Sequence, residues 1–340
     1  MENYCIVEPR YERMGYRRAG RSGILLSEVS LGFWHNFGAD AEYDVCKAIV
    51  HTAFDNGVTY MDLANNYGPP AGSGEETFGR IYYESFRSHR DEMIIATKAG
   101  HDMWPGPYGE WSSRKNLIAS LDQSLHRMRL DYVDIFYSHR PDPNTPLEET
   151  LQTLVDIVRQ GKALYVGISK YPPSMAAAAY DYLEREHVHC LLYQGRYNMF
   201  TREHETEILP QAGDRGVGYV AFSPLAQGLL TNRYLHGIPE GSRMTKSKFL
   251  RPDSLTPDLL DKIDRLDRMA SRRGQSLAQM ALAWDLRLPE VTSVIIGASS
   301  VAQLEDNLKA REHLDFTSDE LYEIDQILGN NPLAEKCCSH

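Results

Sequence analysis

Short apolar, β-rich runs punctuate the chain at residues 28–33 (EVSLGF), 58–63 (VTYMDL), 92–98 (EMIIATK), 132–137 (YVDIFY), 163–168 (ALYVGI), 189–194 (HCLLYQ), 217–222 (VGYVAF) and 291–297 (VTSVIIG). Their starts lie mostly about 25 to 40 residues apart, the length of one strand, one helix and two loops. Between them the apolar positions change to a helical period. Residues 41–57 place Val45, Ile49, Ala53 and Phe54 on one face and stop at Gly57. Residues 112–128 line up Leu117, Leu121, Leu125 and Met128 behind a serine cap. Residues 145–161 open with Thr145 as N-cap and Pro146 in the first turn, and end at Gly161.

Eight strands alternating with helices predict a parallel sheet covered by helices, and the number eight selects the α/β class's closed (β/α)8 TIM barrel. An open dinucleotide-binding sheet would carry G-x-G-x-x-G after its first strand, and LGFWHNFG does not supply it. The reading is one barrel domain over residues 1–340. A hairpin over 16–27, turning about Gly20 and Gly23, plugs the amino-terminal end. The interval 225–274 is too long for a plain connection and predicts an insertion or a functional loop. Residues 331–340 are expected to form a flexible tail.

Composition narrows the partners. With 47 acidic against 36 basic residues the 340-residue chain carries a net charge of −11, which argues against nucleic acid or an anionic membrane as partner. No apolar run approaches the roughly 18–20 residues needed to cross a bilayer. The first residues, MENYCIVEPRYER, lack the basic and apolar segments of a secretory signal. Cys5, Cys46, Cys190, Cys337 and Cys338 are odd in number and form no C-x-x-C pair, which predicts a reduced, cytoplasmic setting.

The chemistry collects where the apolar runs stop. They end in turn at Trp34, Asp62, Lys98, His139, Ser169, Gln194 and Ser223, and at Gly297 and Ser299. In a barrel all carboxyl ends share one face, so Asp62 meets Lys98 and His139 there. Tyr67 follows Asp62 in a Gly/Pro loop. An ammonium near a phenol favours the phenolate, which would lower the tyrosine's pKa and ease proton donation to a developing alkoxide. Asp62 keeps Lys98 charged and aimed, and His139 orients a substrate carbonyl.

A second anionic ligand is suggested after the seventh run. From Arg233 to Arg251 the chain places Arg233, Arg243, Lys246, Lys248 and Arg251 against the single acid Glu240. This is either a solvated face or a clasp for a phosphate-bearing ligand. The helix predicted near Ser299 and Ser300 would offer free N–H groups to an anion. With Gln194, Asn198 and SPLAQG (223–228) these positions outline a groove long enough for a dinucleotide. Trp34, Trp104 and Tyr197 offer flat aromatic surfaces to a ring.

SLGFWHNFG, DLANNYG, ATKAG, YVDIFYSHR, YVGISKY, QGRYNMF, AFSPLAQGLLTNRYLHGIPEGSR and VIIGASSVAQLEDN occur in this order over essentially the whole chain. The series resembles the aldo-keto reductase superfamily. DLANNYGPPAGSGEETFGR and TKAGHDMWPGPYG resemble its bacterial branch that reduces L-glyceraldehyde 3-phosphate and methylglyoxal, related to the β-subunits of voltage-gated potassium channels. The resemblance implies a catalytic tetrad of Asp62, Tyr67, Lys98 and His139 with Tyr67 as proton donor, and NADPH/NADP+ extended across the barrel mouth. It implies cofactor contacts from Trp34, Asp62, Ser169, Lys170, Gln194, Ser223, Leu225, Gln227, Arg233, Arg243, Gly297, Ser299, Gln303 and Asn307. Trp34, Tyr67, Trp104 and His139 would frame the site of a small aldehyde. Homo-oligomers occur among relatives.

One departure concerns Ser300, where many relatives have a basic residue near the adenosine 2′-phosphate; Arg243 and Lys246 would compensate. Arg114 and Arg140 are candidates for a substrate phosphate. Two rival readings differ in their signatures. An NADPH-binding regulatory subunit would bind cofactor without turnover, and a metal hydrolase using Asp62, His101 and His139 would need ligand spacing that these residues lack.

Overall fold

The computed structural model describes residues 4, 6–235, 237–238 and 254–329. Among them ten strands form. β1 (Tyr16–Arg18) and β2 (Leu25–Ser27) are a separate antiparallel pair. β3 (Val29–Gly32), β4 (Tyr60–Asp62), β5 (Ile94–Ala99), β6 (Val133–Ser138), β7 (Ala163–Ser169), β8 (Cys190–Arg196), β9 (Gly218–Phe222) and β10 (Val291–Ile296) close into a barrel in chain order, β10 pairing with β3. Every barrel pairing is parallel. Each of the eight apolar runs thus became a barrel strand, shifted by one or two residues.

Helices fill the crossovers: α1 (Tyr43–Asp55), α2 (Ser73–Ile81), α3 (Arg114–Met128), α4 (Leu147–Arg159), α5 (Pro173–Arg185), α6 (Ile208–Arg215), then α7 (Pro257–Arg272) and α8 (Leu277–Asp285) before β10. α9 (Val301–Leu308) and α10 (Ser318–Leu328) follow it. The α3 stripe lies as predicted, with Leu117, Leu121, Leu125 and Met128 buried and Ser113 Oγ accepting from the Asn116 N–H at 3.3 Å. Two local expectations fail. On α1 the buried stripe is Cys46, Ile49, Val50, Ala53 and Phe54, and Val45 is exposed, because the helix meets the barrel one position later than the pattern suggested. Thr145 does not cap α4, since its own N–H is drawn to Asp142 Oδ1 at 3.1 Å and Pro146 occupies the cap position.

Two apolar layers result. One lies between strands and helices. The other fills the barrel, where Tyr60, Ala96, Ile135, Tyr137, Leu192, Val220 and Ile295 pack with Ala19 and Leu26 of the hairpin. The hairpin therefore closes the amino-terminal end. Arg21 N–H bonds Gly216 O at 2.8 Å, and Arg17 Nη1 bonds Leu288 O at 3.2 Å and Val291 O at 3.0 Å, all at the entries of β9 and β10. Gly20 turns there at φ +53°, and a Cβ at this position would stand 1.9 Å from the Gly216 carbonyl oxygen. Only glycine combines that backbone with so close an approach.

Cys46 and Cys190 are buried free thiols, one on α1 and one opening β8. Burial pushes their pKa up to about 11 and about 12. Cys5, Cys337, Cys338 and the whole tail 331–340 lie outside the described residues, as do most of the basic positions after β9, namely Arg243, Lys246, Lys248 and Arg251.

Candidate active site

β4 delivers Asp62 and β5 delivers Lys98 to the carboxyl end of neighbouring strands. Asp62 pairs with Ala96, so Lys98, two residues on and on the same face, leans across to it. Lys98 Nζ donates to Asp62 Oδ2 at 2.7 Å, to Leu63 O at 2.5 Å and, at 3.4 Å, to Tyr67 Oη. Both ions are withdrawn from water, Lys98 at 0% and Asp62 at 2% exposure, a cost that the pairing and the further hydrogen bonds must offset. Gln194 Nε2 and Tyr60 Oη donate to Asp62 Oδ1 at 2.8 and 3.2 Å, and Tyr60 touches Tyr137 Oη at 2.9 Å. Asp62 is thereby fixed from three strands.

Tyr67 stands over this pair. The ammonium lies 4.9 Å from its ring centre and the His139 ring 5.9 Å away, edge-on. The expectation that Lys98 lowers the Tyr67 pKa is not met. Burial, with Asp62 adding to it, holds the phenol well above its ordinary value, and the nearby ammonium does not reverse this. The hydroxyl keeps its proton at neutral pH. Burial likewise lowers the Lys98 pKa, against the opposing pull of Asp62 and then Glu75. His139 is held well below its ordinary value by burial and by Lys170 and Lys98, so it is neutral. Its buried Nδ1 has no protein partner. The four predicted residues stand together.

The same end carries unmet polar groups. Among the described residues, Ser169 Oγ, Gln227 Oε1 and Asn307 Nδ2 are buried without a partner, as are both amide atoms of Asn65. Lys170, Ser223 and Gln227 hold φ of +61°, +55° and +61°. Such left-handed backbone in non-glycine residues costs about 1–3 kcal/mol each and tends to gather where a ligand sits. Asn198 Nδ2 braces the Ser223 carbonyl at 2.9 Å, Leu225 O receives the Gly228 N–H at 2.8 Å, and Arg233 is exposed on the following turn. After β10, Gly297 leaves open space beside Asn36, where a Cβ would find only Nδ2 at 3.8 Å. Ser299 N–H donates to Gln303 Oε1 at 2.9 Å, and Ser300 Oγ caps α9 by accepting from Gln303 N–H at 3.2 Å. Ser300 therefore starts a helix where a basic side chain was missed. The orphaned amides and hydroxyl, the open glycine and the helix start fit a dinucleotide laid from Ser169 to Asn307. Arg243 and Lys246, expected to compensate for Ser300, lie outside the described residues.

Trp34 borders the tetrad, its ring 6.5 Å from that of Tyr67. Trp104 is half-buried in the β5–α3 loop, which Met103 N–H closes onto Gly109 O at 2.9 Å, and no described contact joins it to Tyr67. Tyr197 does not face the mouth at all. It stacks on Trp284 with ring centres 5.5 Å apart, and its hydroxyl lies between Glu205 and Arg287. Arg114 opens α3 and pairs, half-exposed, with Asp156 of α4, and no described contact joins it to Asp62, Tyr67, Lys98 or His139. Arg140 does stand at the mouth, donating to Gly100 O at 2.9 Å, paired with Glu110 and lying 3.8 Å from the Trp111 ring centre. Sequence reasoning missed Tyr60 and Tyr137, which underlie the tetrad; the period-two step from Tyr60 to Asp62 was the available signal. Among the described residues no group of His, Cys, Asp or Glu has the arrangement of a metal site.

Against known proteins, residues 28–329 match the model of the aldo/keto reductase family. The chain is 52% identical over 329 residues to the L-glyceraldehyde 3-phosphate reductase of Escherichia coli (strain K12), covering 95% of each chain. It is 36% identical over 327 residues to a probable voltage-gated potassium channel subunit beta of Arabidopsis thaliana, covering 94% of this chain and 98% of that one. A putative subunit of the same kind from Schizosaccharomyces pombe is also 36% identical, over 340 residues and 94% of each.

Proposed function

The chain belongs to the aldo/keto reductase family and is an oxidoreductase; from that premise we propose that it reduces small aldehydes to alcohols with NADPH, L-glyceraldehyde 3-phosphate and methylglyoxal first among them. The observation that carries the reading is the Tyr67 hydroxyl. The one hydrogen bond it makes among the described residues comes from Lys98 at 3.4 Å, so its own proton is uncommitted.

Ser169, Lys170, Gln227, Arg233, Ser299, Gln303 and Asn307 would hold the cofactor, which supplies a hydride to the carbonyl carbon. His139, neutral, donates a ring N–H to the aldehyde oxygen and fixes its direction. As charge grows on that oxygen, Tyr67 transfers its proton to it and the alcohol forms. Lys98 then stabilises the tyrosinate left behind, and Asp62 holds Lys98 charged at 2.7 Å. The raised pKa of Tyr67 suits an acid that must arrive protonated at neutral pH. Water returns the proton through the open mouth. General acid catalysis of this kind contributes about 10² to 10⁴-fold.

The test is NADPH oxidation with L-glyceraldehyde 3-phosphate and with methylglyoxal, wild type beside Tyr67→Phe, with cofactor binding measured in parallel. Turnover that vanishes in a variant still binding NADPH supports the reading. NADPH binding by both proteins without turnover by either would replace it with a cofactor-binding regulatory subunit. Equal Michaelis constants for NADPH and NADH would remove the cofactor preference.

A further inference from the structure

A cavity of about 410 Å3 lies at the amino-terminal end of the barrel, opposite the mouth. Small-molecule sites usually enclose about 300–1,000 Å3. Four parts of the chain meet around it, because each enters the sheet at this end. Arg21 comes from the hairpin turn, Tyr180 from α5, His189 and Cys190 from the start of β8, and Arg215 and Val217 from the step between α6 and β9.

The acceptors here are used. Gly216 O accepts from the Arg21 N–H at 2.8 Å and from His189 Nε2 at 3.0 Å, and Asp214 O accepts from Arg21 Nη2 at 2.9 Å. A Cβ at Gly216 would stand 2.3 Å from Arg21 Nε, so the guanidinium is seated against bare backbone. The two acids at the rim are paired, Asp181 with Arg215, and Glu184 Oε2 with His189 Nδ1 at 3.3 Å. Burial keeps the Cys190 thiol protonated, so it adds no negative charge to the wall.

Donors are left over. Tyr180 is 4% exposed, and its hydroxyl is buried with no partner among the described residues, a costly state for a polar group. Arg21 has no acidic partner among the described residues. The Arg215–Asp181 pair is about half-exposed, and a pair of that kind contributes little, so a bound anion can take over its guanidinium.

We propose that this cavity is a binding site for a small organic anion. Arg21 and Arg215 hold its carboxylate or phosphate, the Tyr180 hydroxyl donates to it, and Val217 packs on its apolar body. Each guanidinium can present two parallel N–H donors to either kind of head. An occupant joins the hairpin turn to α5 and α6, and therefore stabilises the folded chain. None of these residues belongs to the tetrad or to the proposed cofactor site, so the inference stands apart from the reductase reading.

The experiment titrates benzoate and phenyl phosphate, separately, into the full-length protein by calorimetry, with excess NADP+ present. Wild type is compared with Arg21→Met, Arg215→Met and Tyr180→Phe. The expected result is binding of at least one probe by wild type, weakened about 10- to 100-fold in each arginine variant and about 2- to 10-fold in Tyr180→Phe. Tighter benzoate binding names a carboxylate head and tighter phenyl phosphate binding a phosphate head. Without a probe, Tyr180→Phe should melt at or above the wild-type temperature, since it loses only an unpaired hydroxyl. Wild-type affinity in any variant that folds overturns the proposal, as does a Kd above about 1 mM for both probes in wild type. If Arg21→Met does not fold, Arg215→Met decides between these outcomes.

Discussion

The molecule contains two buried clusters made of the same parts: a carboxylate, cations and a tyrosine. In the mouth they are Asp62, Lys98 and Tyr67; behind β8 and β9 they are Glu205, Arg202, Arg287 and Tyr197. In the second cluster every group is committed. Glu205 accepts from Tyr197 at 2.6 Å, from Arg202 at 3.1 and 2.9 Å and from Arg287 at 2.7 Å. The Tyr197 hydroxyl also accepts from Arg287 at 2.7 Å, and Arg202 reaches on to Asp325 at 2.6 Å. In the first cluster the tyrosine donates to nothing described and its only bond is long. Residue types do not separate the cluster proposed to react from the structural one; unused hydrogen-bonding capacity does.

Substitutions can break this comparison, and they differ in size. Tyr67→Phe should lower kcat/KM about 10² to 10⁴-fold while leaving the unfolding midpoint near wild type, as assays and thermal melts will show. A large loss of stability would mean that the mouth tyrosine, too, is structural. Glu205→Gln leaves Arg202 and Arg287 buried without their counter-ion and should cost about 3–5 kcal/mol in denaturant unfolding, with turnover per folded molecule retained. Tyr197→Phe removes one buried donor and should cost about 1–3 kcal/mol, again without a kinetic effect.

Acidity sharpens the contrast further. Burial alone would raise the Glu205 pKa, but the Arg202 hydrogen bonds and the Arg287 charge outweigh it, leaving the carboxyl below its usual value of 4.5. Its contribution to stability is then complete above that value and lost as pH falls toward the lowered one. An acid titration followed by circular dichroism should show Glu205→Gln flattening that limb. In the mouth the sign concerns binding. Burial and the charges of Lys98, Arg140 and Arg196 lower the Lys170 pKa to about 8. With Lys170 proposed on the cofactor, the KM for NADPH should therefore rise as pH climbs through about 8, where the ammonium is lost, while the KM for L-glyceraldehyde 3-phosphate and that for methylglyoxal move less. The smallest effect belongs to Arg114→Ala. Its half-exposed pair with Asp156 contributes about 0–1 kcal/mol, and KM for the two aldehydes should shift alike.

The barrel was legible because its signal is repetitive. Eight apolar runs with helical patterns between them leave few architectures, and each strand end could be read from where its run stopped. That Asp62, Lys98 and His139 meet was legible for the same reason, since strand ends share one face. What escaped was decided by contacts across the chain. Val45 and Cys46 differ by one step of helical phase, which only the docking of α1 on the barrel resolves. Thr145 reads as a cap until Asp142 takes its N–H. Tyr197 and Tyr67 are equally aromatic in sequence, and only the contacts with Glu205 and with Arg287, 90 positions beyond Tyr197, show which one is committed. The pKa direction of Tyr67 was missed because proximity to Lys98 is easy to infer from a strand order and depth of burial is not.

The two buried thiols bear on survival rather than on shape. Thiolate is the form of cysteine that attacks electrophiles, and with pKa values of about 11 and about 12 Cys46 and Cys190 supply almost none of it at neutral pH. A catalyst that spends its working life among reactive carbonyl compounds is thus built so that its interior sulfur does not scavenge them.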